Sequence, residues 1–133
     1  MTNVRKIKEF MVEHPYTIQY FEPLGVAEKL LQQHRIRHLP VLDHKKVYGM
    51  ISDRDISLAA SVYKGKDYQL KVFVKDICLS DPYVVDESAK FLDVLNNMSR
   101  KRLESVIVTK DKDVIGIFTM TDACRVLAEL LSN

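Results

Sequence analysis

The chain has 133 residues, 47% of them hydrophobic and 29% charged, the size and balance of one ordinary globular domain rather than of a disordered segment. Its 20 basic and 18 acidic residues leave a net charge of +2, too even for a nucleic-acid-binding face. Two cysteines, Cys78 and Cys124, are too few for a disulfide framework. No stretch reaches the ~20 apolar residues of a membrane span or forms the core of a signal peptide, so a reduced, cytoplasmic setting with no membrane and no nucleic-acid partner is expected.

In chain order, residues 7–11 form a short lead-in, and Pro15 favours extended chain before it. Residues 16–18 (YTI) are β-prone. Leu24, Ala27, Leu30 and Leu31 then fall on one helical face, with Gln32 and Gln33 turned outward; Pro23 suits the first turn. Residues 38–42 (HLPVL) and 47–51 (VYGMI) predict two strands joined by the charged turn 43–46, a hairpin. A helix follows from Asp53 to about Ala60. Residues 61–73 read as a connector, with Gly65 at an exposed loop tip inside a charged cluster.

The second half repeats this order. A lead-in at 74–78 precedes Pro82 and a strand at 83–85. Phe91, Val94, Leu95 and Met98 recur at helical spacing. Strands at 105–109 and 114–118 flank the turn 110–113, and a helix runs 120–131 with an apolar stripe of Val126, Leu127, Leu130 and Leu131. The heptapeptide GMISDRD from Gly49 returns as GIFTMTD from Gly116, 67 residues on. The same shift pairs Pro15 with Pro82, Leu31 with Met98, and Asp55 with Asp122, without a gap. An internal duplication organises the chain. Each copy is strand, helix, strand, strand, helix, and about 60 residues is marginal for one core. The two copies are therefore expected to pack face to face around a pseudo-twofold axis, with boundaries 1–60, 61–73 for the connector, and 74–133.

These residues resemble a tandem pair of CBS domains, a Bateman module. The resemblance rests on HPYTI and DPYVV after the lead-ins, RIRHLPVLD before the first hairpin turn, and GMISDRD and GIFTMTD at the hairpin ends. The second copy departs where Ile107 replaces Pro40. The resemblance implies an α/β (α+β) fold of two β-α-β-β-α repeats, with small mixed sheets flanked by helices. It implies a regulatory module rather than an enzyme, commonly a homodimer, acting on a partner protein in trans. It also implies an adenine-containing ligand (AMP, ADP, ATP, NAD or S-adenosylmethionine) in clefts between the repeats, and no required cofactor. The nucleobase would be lined by Thr17, Ile18, His38 and Pro40 in one site and by Val84, Val85, Ser105 and Ile107 in the other.

Each motif ends on a hydroxyl followed three residues later by an acid, Ser52 to Asp55 and Thr119 to Asp122. This is a capping box, sufficient by itself to satisfy helix N–H groups. A carboxylate there also suits the vicinal hydroxyls of a ribose, through charge-assisted hydrogen bonds; the two uses are compatible. Arg54 lies within the first motif, and Thr121 stands in its place in the second. Arg37, Arg54 and Lys101 are candidate phosphate contacts, although exposed cations are ordinary; Arg100 and Arg102 also suit a helix C-terminus. His14, His34, His38 and His44 lack metal-ligand spacing, and no nucleotide-binding loop or nucleophile motif is present. The alternative function is a module with empty clefts, kept for dimerisation or partner binding.

Overall fold

The computed structural model of the protein describes residues 4–132 apart from Lys64 and Lys66. A 3-10 turn, Ile7–Glu9, precedes β1 (Val12–Glu13) and β2 (Ile18–Gln19). Then come α1 (Leu24–His34), β3 (His38–Asp43), β4 (Lys46–Ser52), α2 (Asp53–Tyr63) and two short helices, α3 (Tyr68–Lys71) and α4 (Val74–Ile77). The second half holds β5 (Val84–Asp86), α5 (Phe91–Lys101), β6 (Ser105–Lys110), β7 (Asp113–Thr119) and α6 (Met120–Leu131). This is the mixed α/β pattern that the sequence predicts.

The elements form two compact units. One is Tyr16–Pro82; the other joins the chain up to Pro15 with the chain from Tyr83 onward. In the first unit β2 runs parallel to β3, and β3 antiparallel to β4. Leu24, Ala27 and Leu31 of α1, Leu39, Val41 and Ile51 of the strands, and Ile56 and Ala59 of α2 share one core. In the second unit the order is β1-β7-β6-β5, with β5 parallel to β6. Phe91, Val94 and Met98 of α5 pack there with Val106, Val108, Phe118 and Val126. The bulges between Val41 and Leu42 and between Val108 and Thr109 are 67 residues apart, so the repeat extends to irregularities of the ladder. Both long helices before the hairpins close on a left-handed arginine, Arg35 and Arg102. The following N–H then returns to the helix, Ile36 to the Leu31 carbonyl at 3.1 Å and Leu103 to the Met98 carbonyl at 2.9 Å, as αL helix ends do.

The lead-ins are exchanged between the repeats. The Ile7 N–H donates to the Ala89 carbonyl at 2.9 Å, and the Phe91 N–H to the Arg5 carbonyl at 2.9 Å. Their counterparts 67 residues along are Val74 N–H to Glu22 and Leu24 N–H to Val72, at 2.9 and 2.8 Å. Thus the first lead-in completes the second repeat: Ile7 is fully buried, Phe10 stacks on Phe91 at 3.9 Å, and β1 pairs with β7. Val74, also fully buried, does the same in the first repeat, where Leu79 bridges to Met50.

Two details differ from expectation. The stretch 61–73 is largely ordered: α2 continues to Tyr63, and α3 docks because Tyr68 and Gln69 both donate to Glu28 of α1, at 2.9 and 3.0 Å. Gly65 is an exposed turn with φ +66°, while its neighbours Lys64 and Lys66 lie outside the described residues. On α6 only Val126 of the predicted stripe is buried; Leu127, Leu130 and Leu131 are exposed, because the core reaches just the one turn that faces the sheet.

The motif glycines mark where the exchanged segments cross. A Cβ on Gly49 would overlap the Leu79 carbonyl oxygen, whereas a Cβ on Gly116 would overlap the flexible Met11 thioether. Backbone cannot yield as a methionine can. Gly49→Ala should therefore cost about 3 kcal/mol and Gly116→Ala about 1 kcal/mol, within the range of overpacking penalties. Urea unfolding of both variants checks the order; equal costs would contradict it.

Candidate functional site

Both candidate sites lie where the second strand of a hairpin runs directly into a helix. In the unit Tyr16–Pro82, His38 and Ser52 are register partners across β3 and β4. The Asp53 N–H donates to the Arg37 carbonyl at 3.0 Å and α2 begins at once. Arg37, His38, Ser52, Arg54 and Asp55 are thereby gathered at one end of the sheet. Ile18 of β2 lies beside Val41, which brings Thr17 level with Pro40. The other unit repeats the arrangement. Ser105 is opposite Thr119, the Met120 N–H donates to the Glu104 carbonyl at 3.0 Å, and Val84 and Val85 lie beside Ile107 and Val108. Thr119, Thr121 and Asp122 are then at the start of α6.

Burial divides the predicted residues. Ile18, Pro40 and Ile107 are buried, and Ile18 belongs to the unit's core. Thr17, His38, Ser52, Asp55, Val85, Ser105, Thr119 and Asp122 are half-buried. Arg37, Arg54, Val84, Thr121 and Lys101 are exposed. Lys101 is the last residue of α5, and its neighbour Arg100 donates to the Asn97 side chain at 3.4 Å.

The capping boxes are present, with a difference between them. In the first repeat the Ser52 N–H donates to Asp55 Oδ2 at 2.9 Å, and the Asp55 N–H donates back to Ser52 Oγ at 3.2 Å. In the second, Asp122 Oδ2 accepts both the Thr119 N–H at 2.9 Å and the Thr119 hydroxyl at 3.1 Å. Its other oxygen, Oδ1, is 3.6 Å from the Arg125 guanidinium. Asp55 Oδ1 has no such partner among the described residues and, since no buried side-chain oxygen is left unpaired, it reaches solvent. A second difference lies in the strands. The Ile107 N–H donates to the Tyr83 carbonyl at 2.9 Å; Pro40 has no N–H, so the Tyr16 carbonyl lacks the equivalent donor.

Sequence reasoning missed two residues here. Arg125 was legible as a D-x-x-R spacing on one helix face. Cys78 was not, because only the exchange of lead-ins carries it to Gly49, where its Sγ stands 3.1 Å from the place of a Cβ. Burial, and then the charge of Asp55, push the Cys78 thiol above its ordinary range. Among the described residues no group of three or more His, Cys, Asp or Glu side chains could hold a metal ion, and no helix is long and apolar enough to cross a membrane. A groove of about 510 Å³ lies between the end of α5 and the start of α6, next to Ser105 and Thr121 in the chain, and is lined by Leu95, Met98, Leu103 and Met120 with Arg102 and Glu104.

The family profile for the CBS domain matches residues 7–61 and 74–129, and the chain belongs to the CBS domain family as a tandem pair. It is 25% identical over 120 residues to an inosine-5'-monophosphate dehydrogenase of Korarchaeum cryptofilum, covering 90% of this chain and 24% of that protein. It is 29% identical over 121 residues to an L-aspartate semialdehyde sulfurtransferase of Methanocaldococcus jannaschii, covering 90% of this chain and 22% of that protein. The chain thus spans about a quarter of the length of these relatives. Among solved structures it is similar to the CBS domain pair of protein MJ0100 in complex with 5'-methylthioadenosine and S-adenosyl-L-methionine, with a TM-score of 0.83 and 25% identity, covering 96% of this chain and 99% of that one.

The raised Cys78 thiol and the exposed Cys124 make a kinetic prediction. At pH 8 iodoacetamide should label Cys124 well before Cys78, because the thiolate is the nucleophile. Peptide mass spectrometry over a time course checks it, and labelling of the two at one rate would contradict it.

Proposed function

We propose that the chain is a regulatory sensor of an adenine nucleotide or adenosyl ligand (AMP, ADP, ATP, NAD or S-adenosylmethionine), with Asp55 and Asp122 as its ribose contacts. The observation that carries this reading is the Asp55 carboxylate. One oxygen is fixed by the start of α2 and the other faces solvent. A carboxylate oriented in this way keeps the acceptor capacity that a vicinal diol requires, at little further ordering cost. The start of α2 adds a helix-end dipole suited to an anion, with Arg54 and Arg37 at the same end of the sheet. The Tyr16 carbonyl is an acceptor for an exocyclic amine of the base, near Thr17, His38 and Pro40. In the second repeat Thr119, Thr121 and Asp122, with Val84, Val85, Ser105 and Ile107, take the corresponding parts, and Lys101 offers a phosphate contact. The complex of the similar CBS pair with two adenosyl compounds supports this ligand class.

The ligand acts as a signal rather than a substrate on this reading. The aspartates are hydrogen-bond acceptors built into helix caps. The module would work in the cytoplasm, as a homodimer, on a partner protein. A second reading, an interaction module without ligand, is favoured by the exposed apolar side chains Leu58 and Val62 of α2 and Leu127, Leu130 and Leu131 of α6, since such surface often marks a protein interface.

A thermal-shift and calorimetry series with AMP, ADP, ATP, NAD and S-adenosylmethionine separates the two. A ligand at 100 times its Kd should stabilise the fold by about 2.7 kcal/mol, and Asp55→Asn should weaken it by removing the charge at constant shape. No response to any of the five at millimolar concentration, together with a dimer by light scattering, would favour the interaction module.

A further inference from the structure

We infer that Arg125 sets the two repeats apart as ribose sites: it competes for Asp122 from within the helix, so the first repeat takes the nucleoside more tightly than the second. The inference rests on the ribose-binding reading above and adds an order of occupancy to it. The duplication supplies an internal control, because residues 120–130 of α6 have counterparts 67 positions earlier on α2. In α6, Arg125 lies 3.6 Å from Asp122 Oδ1 and 3.5 Å from Glu129 Oε1, a bracket one turn apart on one face. In α2 the same three positions are Asp55, Leu58 and Val62, and both apolar members are exposed, at 61% and 75%. The charged ladder of one helix is thus absent from the other.

The carboxylates reflect this. Asp122 accepts two hydrogen bonds on Oδ2 and an ion pair on Oδ1. The Asp55 side chain accepts one, on Oδ2. A ribose reaching Asp122 has to displace the Arg125 guanidinium and share the remaining lone pairs with the Thr119 hydroxyl. A ribose reaching Asp55 meets an accessible Oδ1 with no partner among the described residues. Arg125 is half exposed, 49%, so displacement is cheap, and the effect is a difference in affinity rather than a closed site.

Calorimetric titration with adenosine, which carries the diol and no phosphate, tests this on the full chain. Asp55→Asn isolates the second site and Asp122→Asn the first. In the Asp55→Asn background, Arg125→Leu, which copies the residue of the first repeat, should tighten adenosine roughly two- to fivefold, the worth of one exposed ion pair. In the Asp122→Asn background, Leu58→Arg should weaken it by a similar factor. Raising the salt concentration should tighten the second site of the Arg125 protein and leave the Arg125→Leu protein unchanged, since adenosine is neutral and salt screens the competing pair. If adenosine binds and neither exchange alters its affinity, the role of Arg125 is overturned while the ribose reading stands. If adenosine binds to none of these proteins, including the unsubstituted chain, both are overturned.

Discussion

At Gly49 and Gly116 a neighbouring segment lies where a Cβ would otherwise stand, the Leu79 carbonyl against one and the Met11 thioether against the other. Those contacts let each lead-in lie along the hairpin of the opposite repeat. The lead-in then delivers a fully buried residue, Val74 or Ile7, to a core that the repeat does not fill alone. A five-element unit of about 60 residues gains from such additions, because surface scales against small cores. The exchange also means that the chain passes from one unit to the other twice, so that one unit is the contiguous segment Tyr16–Pro82 and the other is assembled from two separate stretches. Three residues beyond each glycine, the same strands end at Ser52 and Thr119, and the helices begin. The crossing and the candidate site therefore depend on one short piece of each strand.

The aspartates have a structural duty that does not use them up. As the third residue of its helix, each carboxylate satisfies an N–H group that the helix itself cannot. That fixes the rotamer and aims the second oxygen away from the backbone. Fixing it in advance removes an ordering cost that binding would otherwise bear. The repeats differ in what occupies the second oxygen: solvent at Asp55, a guanidinium at Asp122. The two caps share one hydroxyl-to-acid spacing and differ on the outer faces of their helices, where Leu58 and Val62 stand against Arg125 and Glu129.

The elements were legible in the sequence because two periodicities agreed. Helical spacing in Phe91, Val94 and Met98 predicted the face that α5 buries, and the two hairpins followed from short apolar runs around charged turns. The constant 67-residue shift tied the halves together through a few identities and the register of apolar positions and glycines. The strand β1 and the docking of α3 were not legible. β1 has two residues, too few for a pattern, and its pairing with β7 joins positions about 100 residues apart in sequence. The α3 turn is fixed by Tyr68 and Gln69 reaching Glu28, a tertiary contact with no local signal. The outer stripe of α6 misled for a related reason: periodicity identifies an apolar face, but how far the core extends beneath it is a property of the fold. In the candidate site, the hydroxyl-to-acid spacing of the caps was legible; the different environments of the two carboxylates were not, since they depend on which atoms meet.

If a helix-capping aspartate also takes a ribose, the hydroxyls of the sugar are the most direct probe of it. Calorimetry should compare adenosine with 2',3'-dideoxyadenosine, which keeps the base and loses both hydroxyls. Adenosine should bind, and the dideoxy compound should lose at least tenfold in affinity, the effect of removing about one charge-assisted hydrogen bond. Equal affinity for the two would contradict the double use of the aspartates, because a site that ignores the diol does not use Asp55 or Asp122 to hold it.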